Sequence, residues 1–502
     1  MESALSFRDP EGCCLRHEDR ILRFVYRQAA DRVRTFAASD FARSLLTEKK
    51  LPATRLLPSS EADALLQSPH FSNLAPEARD GLVLEHELIP FPSYPYEWSP
   101  AMLFAAGELT LDLQLQALDA GYTLKDATPL NILFRDAQPV FVDFLSFDRY
   151  KPGAVIWTAY SQFVCTFLLP LLLYRNQGTP INELFLGRRD GIEPAEVYHR
   201  LNLVAKLWPL ALQFVTFPTW FGRFKFAESV PLENSKSKNP PRELQVARGM
   251  IVQLRGAFRR LRPQARNRSH WIGYMDDLSY ADDSFVAKRT FVCDALRDLS
   301  PRTVLDIGCN TGYFSCLCAA QGASVVALDS DSAVIDQVWQ RSRKEGLSVL
   351  PLVMDFGRPS PGMGWRNSEK TSFLQRAKGN FDAALLLAVI HHLTVTHGIP
   401  LYQIFELLSE MVTNGLVVEY VPPEDTMFQK ISRNKEHLIP RLGQAEFEAS
   451  YASWFTLVRR TQLPNSSRWM YLLRRGSPAM ATLANGVAEI GSSQFVESEH
   501  AV

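Results

Sequence analysis

Short apolar runs separated by turn residues mark the first 150 positions. ILRFVY, GLVLEHELIPF and PVFVDFLSF read as strands with a few helices between them. From 151 to 232 the chain becomes apolar, aromatic and helical in pattern. Within it, Gly153 to Tyr174 carries no charge and approaches the ~20 residues of a membrane span. Polar Thr158, Tyr160, Ser161, Gln162 and Thr166 dilute its first half and Pro170 interrupts its second, so the pattern predicts a buried helix and no integral membrane segment. The polar break ENSKSKNPPRE, Glu233 to Glu243, has the composition of a loop. Beyond it Ala247, Ile251, Leu254, Phe258 and Leu261 fall three or four apart and predict one apolar helical stripe. From about Ser300 to Arg474, strand-like TVLDIG, SVVALD, FDAALLLAVI and GLVVEYV alternate with helix-like segments, which predicts a parallel sheet with crossover helices. The small polar residues after Gly476 predict a disordered tail.

A chain of 502 residues exceeds what one ordinary core needs, and 46% hydrophobic with 22% charged residues is a globular composition. Two or three domains are expected. Lys plus Arg equals Asp plus Glu at 54 each, so no global field recruits nucleic acid or an anionic membrane. Locally the balance is different. Between 242 and 268 stand Arg242, Arg248, Arg255, Arg259, Arg260, Arg262, Arg266 and Arg268 against the single acid Glu243. This basic stretch reads either as a connecting helix with a solvated charged face or as a surface for an anionic partner such as acidic lipid or RNA. Seven cysteines, with Cys13 and Cys14 adjacent and no C-x-x-C pair, fit a reducing compartment and predict neither a disulfide framework nor a metal site. The N-terminus has early acids and no apolar segment, so no secretory signal is read there and a cytoplasmic location is expected.

The strongest chemical signal is VLDIGCNTGYFS, Val304 to Ser315: an apolar strand, Asp306, Gly308, Asn310 and Gly312, then a helix. Glycines let the chain turn sharply and bring its backbone against a ligand. The segment resembles motif I of class I S-adenosylmethionine methyltransferases of the bacterial two-part type, usually D-x-G-x-G-x-G, with Asn310 in place of the middle glycine. Asn tolerates the left-handed region, so that departure is structurally mild. The dinucleotide fingerprint G-x-G-x-x-G is absent, and the carboxylate of Asp306 would repel a pyrophosphate. It suits the ammonium and sulfonium of S-adenosylmethionine.

Asp329, 23 residues after Asp306, ends the next strand, where an acid can accept both ribose hydroxyls. The resemblance implies that Asp355 lies near the adenine amino group. It also implies a Rossmann-like sheet with helices on both faces over 271–475, and a covering helix in Trp271 to Lys288 with Trp271 and Tyr280 near the methyl donor. His391, His392 and Glu419 follow or end later strands on the side that forms the substrate mouth. They read as candidate catalytic groups, a neutral histidine taking a proton from an acceptor hydroxyl or ammonium, or equally as structural ones.

Lys125 to Phe144, KDATPLNILFRDAQPVFVDF, carries a second resemblance. The order Asp126, Pro129, Asn131, then a strand ending in Asp143 and Phe144, is similar to the catalytic loop and metal-binding Asp of aminoglycoside phosphotransferase-type kinases. The resemblance implies an α+β kinase-like domain over 1–150 in which Asp126 orients an acceptor while Asn131 and Asp143 hold magnesium beside ATP. Yet the only lysines before Lys125 are Lys49 and Lys50, no G-x-G occurs there, Leu124 replaces the usual histidine and Leu145 the usual glycine. These departures predict a degenerate site. The run PFPSYPYEW, Pro90 to Trp98, reads as a cleft wall or as an aromatic turn.

The resulting expectation is a kinase-like region at 1–150, its helical part at 151–232, a basic linker and amphipathic helix at 233–270, a methyltransferase domain at 271–475 and a tail at 476–502. The expected activity is methyl transfer from S-adenosylmethionine to an unidentified oxygen or nitrogen acceptor on a small molecule, glycan or lipid-linked intermediate. A bifunctional kinase/methyltransferase and a non-catalytic interaction protein are the alternatives.

Overall fold

The computed structural model describes residues 4–6, 8–71, 74, 76–153, 155–221, 239–264, 283–433 and 442–476. Trp271, Tyr280, Arg266, Arg268, most of the predicted tail and most of the polar break lie outside them. The chain divides into two compact units. The first comprises Met1–Arg266, Trp339–Arg343 and Ser360–Ser372, the second Asn267–Val338, Lys344–Pro359 and Phe373–Val502.

The first unit opens with five antiparallel strands, β1 (Ala4–Ser6), β2 (Gly12–His17), β3 (Arg20–Val25), β4 (Thr54–Leu56) and β5 (Leu82–His86), in the order β1-β2-β3-β5-β4. Leu22 and Phe24 of β3 and Val83 of β5 are buried with Phe71, so one face of this sheet forms a core. Helix Pro100–Asp119, capped by the Ser99 hydroxyl, is buried on almost every side. After it come β6 (Tyr122–Leu124), β7 (Ile132–Arg135), β8 (Gln138–Phe141) and β9 (Phe147–Arg149), paired β6 with β9 and β7 with β8. Of the Pro90–Trp98 run, Pro90 is exposed while Phe91 and the stretch from Ser93 to Trp98 are buried, with the Trp98 indole donating to the Ser93 hydroxyl at 3.0 Å.

The uncharged segment begins its helix at Tyr160, not Gly153, and continues to Gln177 through a π turn at Val164–Leu168. That turn adjoins Pro170, whose missing N–H cannot support regular helical bonding. Among the described residues no helix is long and apolar enough to cross a membrane. The next predicted loop is also shortened. Helix Pro240–Arg259 starts inside it, because proline is favoured in the first turn and the Asn239 side chain caps the Arg242 N–H at 3.3 Å. Its stripe is buried as the spacing predicts, and Phe258 stacks on Phe104 with ring centroids 5.0 Å apart. The stretch Ser360–Ser372 belongs to the first unit, where buried Glu369 pairs with Arg8 and Arg189 at 2.7 Å each.

The second unit is built on a seven-stranded sheet. Its strands are β10 (Thr303–Ile307), β11 (Ser324–Asp329), β12 (Val349–Val353), β13 (Phe381–Leu386), β14 (Val412–Tyr420), β15 (Phe455–Gln462) and β16 (Trp469–Arg475), in the order β12-β11-β10-β13-β14-β16-β15. The first five are parallel, and the β15–β16 hairpin closes the sheet antiparallel. Val304, Val325, Val349 and Ala383 pack in a core with Val292 and Leu296 of helix Asp283–Leu299, while Leu305, Val326, Leu350 and Ala384 on the opposite parity are equally buried. Burial on both parities means a sheet covered on both faces. The strand order reverses between β10 and β13, and such switch points open a crevice at the carboxyl ends of the strands.

Candidate active site

A cavity of about 700 Å³ opens at that crevice. This is within the ~300–1,000 Å³ of typical ligand pockets. Asp306, Gly308, Asn310, Asp329, Asp355, His391, His392 and Glu419 all line it, and Gly312 starts the helix behind it.

The loop after β10 takes three left-handed residues, Gly308 at φ 70°, Asn310 at 49° and Gly312 at 74°. Cβ atoms at Gly308 and Gly312 would collide with Val389 and Val338 side chains, so both positions demand glycine for space as well as for angle. Asn310 adopts the positive φ and returns its side-chain oxygen to the Thr311 N–H at 2.7 Å. Its own N–H donates to Asp329 at 3.0 Å, and the other Asp329 oxygen accepts from the Asp331 N–H at 2.9 Å. Burial pushes Asp329 above the usual carboxylate range. Asp306 is buried more completely and is pushed up to about 6, with the Ser315 hydroxyl at 2.6 Å opposing the shift. Asp355 accepts from the Gly357 N–H at 2.9 Å and the Arg358 guanidinium at 3.0 Å, with His397 at 3.3 Å.

On the other wall stand His391 and His392, their ring centroids 4.3 Å apart. His391 is only 6% exposed and its Nδ1 has no hydrogen-bond partner among the described residues. Burial, with the neighbouring His392 and Arg468, drives its pKa down to about 3, and burial lowers His392 as well, so His391 is neutral at physiological pH. Glu419 is fully buried. Burial alone would raise it, but Lys288 at 2.5 Å and Arg468 at 3.2 Å together hold it below the usual range. Arg468 also pairs with Asp425 at 2.8 Å. Sequence reasoning missed Lys288, Asp425 and Arg468. Lys288 ends the Trp271 to Lys288 segment, but nothing local signals that helix Asp283–Leu299 and the β15–β16 turn meet at Glu419.

In the first unit Asp126 and Asn131 sit between β6 and β7, and Asp143 follows β8. The Asn131 amide reaches Asp143 at 3.4 Å. Arg23 of β3 pairs with the other Asp143 oxygen at 3.3 Å and donates to the Val142 carbonyl at 3.1 Å and to His86 at 3.2 Å. Burial raises Asp126 and Asp143 above the carboxylate range. Among the described residues no group of three His, Cys, Asp or Glu side chains is placed to hold a metal ion.

Residues 284–463 match a family described as a methyltransferase domain. The chain is 30% identical over 472 residues to the nodulation protein NoeA of Rhizobium meliloti (strain 1021), a match spanning 94% of this chain and 95% of that protein. It is also 30% identical over 135 residues to the O-antigen chain terminator bifunctional methyltransferase/kinase WbdD of Escherichia coli, covering 26% of this chain and 17% of that protein. Among solved structures, the N-methyltransferase NodS from Bradyrhizobium japonicum WM9 is similar at 16% identity with a TM-score of 0.30, over 39% of this chain and 99% of that one.

Proposed function

Because the chain belongs to the family of nodulation protein NoeA and is an S-adenosylmethionine-dependent methyltransferase, we propose that its cofactor lies against Asp306, Gly308, Asn310, Gly312, Asp329 and Asp355. The observation that carries this reading is the Asn310–Asp329 bond, which fixes a glycine-flanked loop beside a buried acid at the switch point of the sheet. The residues fit the group. Two glycines leave backbone where a Cβ has no room, and the acidic rim suits a cationic ligand. When bound, S-adenosylmethionine supplies an electrophilic methyl group on sulfur. Asp329 is the candidate acceptor for the ribose hydroxyls, and Asp355 is the candidate for the adenine end.

His391 lines the cavity as a neutral imidazole and serves to orient the methyl acceptor. A pKa near 3 is too low for efficient proton removal at neutral pH, so His391 acts mainly by positioning, with His392 as the nearer match for a base. Glu419 contributes by holding Lys288 and Arg468 in the wall. The acceptor is an oxygen or nitrogen nucleophile on a small molecule, glycan or lipid-linked intermediate. Methyl-labelled S-adenosylmethionine, incubated with the protein and with glycan and lipid fractions of its source cell, tests this. Label in a glycan, lipid or small-molecule fraction supports the reading, and label confined to protein or nucleic acid contradicts it.

For the first unit the observations favour a degenerate kinase-like site. Arg23 and Asn131 already engage the Asp143 oxygens that would face magnesium. No magnesium-dependent ATP turnover is expected, and turnover abolished by Asp143→Ala would favour the bifunctional reading. The basic helix is assigned as a docked connector, since Arg248 pairs with Asp119, Arg255 with Glu108 and Asp112, and Arg259 with Glu108. All seven cysteines are free thiols, which supports a cytoplasmic location.

A further inference from the structure

The first unit carries an exposed apolar patch that its own core does not use. Leu203, Val204 and Leu207 on and after helix Leu203–Lys206, with Phe217, Trp220 and Phe221 on helix Phe217–Phe221, are between 47% and 81% exposed. The two short helices are tied together. The Thr216 hydroxyl donates to the Lys206 carbonyl at 2.9 Å, the Trp220 indole donates to the Tyr198 hydroxyl at 3.2 Å, and the Lys206 ammonium lies 4.0 Å from the Tyr198 ring centroid. These bonds gather six large apolar side chains at one place. Scattered exposed hydrophobics need no explanation, but a cluster that includes a tryptophan marks an interaction surface.

Charge identifies the partner. From Val197 to Ala227 the sequence contains no Asp or Glu, while Arg200, Lys206, Arg223 and Lys225 stand within it. Arg200 is exposed and Lys206 half-buried, and no carboxylate among the described residues pairs with either. A second copy of this chain is a poor match. A two-fold interface brings a patch against itself and would set unpaired cations face to face. The sequence from Gly222 to Ala227 adds Arg223 and Lys225 and no acid. An anionic lipid surface meets both requirements at once. Trp, Phe and Leu are favoured on surfaces that settle at the headgroup boundary, and each nearby Lys or Arg adds attraction to acidic lipid.

We propose that the Leu203–Phe221 surface docks the protein on an anionic membrane as a peripheral attachment. The test is flotation of the full chain with phosphatidylcholine vesicles with and without an equal share of phosphatidylglycerol. The wild type floats with the phosphatidylglycerol vesicles and stays below with the neutral ones. Leu203→Ser/Val204→Ser/Trp220→Ser, and separately Arg200→Glu/Lys206→Glu, each weaken binding roughly ten-fold or more. Both keep wild-type circular dichroism and wild-type affinity for S-adenosylmethionine. Absence of wild-type flotation overturns the proposal, as does flotation equal to that of the wild type in either folded variant. So does a wild-type dimer in sedimentation equilibrium that the triple substitution dissociates, because the patch then belongs to a second copy.

Discussion

The Asn310 N–H donates to the Asp329 carboxylate at 3.0 Å, so the acid at the end of β11 also holds the turn that follows β10. One side chain thus organises the loop and offers its charge to the cavity. Asp329→Ala removes both contributions and is expected to weaken S-adenosylmethionine binding by roughly 100-fold, on the scale of a lost charge-assisted contact. Asp329→Asn keeps the loop bond and is expected to lose less. Equilibrium dialysis with labelled cofactor separates the two.

Asp306 lies inside the sheet with a pKa raised to about 6, against an unfolded value near ~3.9. A carboxyl raised on folding stabilises below its unfolded pKa and loses that contribution as pH rises through its folded one. At pH 7.5 the charged form therefore costs stability, on the order of 1–3 kcal/mol. Asp306→Asn is expected to raise the melting temperature of the ligand-free protein at that pH while reducing cofactor affinity. Affinity of the wild type should strengthen from pH 5 to 7, as Asp306 ionises, and that dependence should flatten in the variant. Calorimetry across pH reads both.

His391 has the opposite sign. Its folded pKa of about 3 lies below the unfolded ~6.5, so the unfolded chain binds the extra proton between those values. Stability falls as pH drops through that window. By pH 5 the linkage amounts to roughly 2 kcal/mol. Urea denaturation of wild type and His391→Gln at pH 7 and 5 should show a smaller acid loss in the variant, together with reduced methyl transfer at unchanged cofactor affinity.

The Lys288–Glu419–Arg468 cluster buries a charge that two cations balance. Lys288→Met leaves Glu419 half-paired in the wall and is expected to cost about 3 kcal/mol. Lys288→Met combined with Glu419→Leu removes the stranded charge and should recover much of that loss. Denaturant midpoints of the two variants check the sign of the coupling.

Much of the second unit was legible because its signals are local. The glycine loop, the strand-ending acids and the alternation of strands with helices each lie within a short window. The stripe Ala247, Ile251, Leu254 and Phe258 was equally readable, since helical burial repeats with a short period. The Pro240 start was harder, because composition marks a loop and only the Asn239 cap distinguishes a helix start. The partners of Glu419 and Asp143 were not legible at all. Lys288 and Arg468 come from elements 131 residues before and 49 residues after Glu419, and Arg23 lies 120 residues before Asp143. The assignment of Ser360–Ser372 to the first unit depends on Glu369 meeting Arg8 and Arg189, contacts without a sequence period.

Isothermal titration of the full chain with S-adenosylmethionine, S-adenosylhomocysteine and NAD addresses the central claim most directly. Saturable binding of both sulfur ligands, none of NAD, and loss of the former in Asp329→Ala is the predicted result. Binding of NAD with no affinity for either sulfur ligand would contradict the assignment of this cavity.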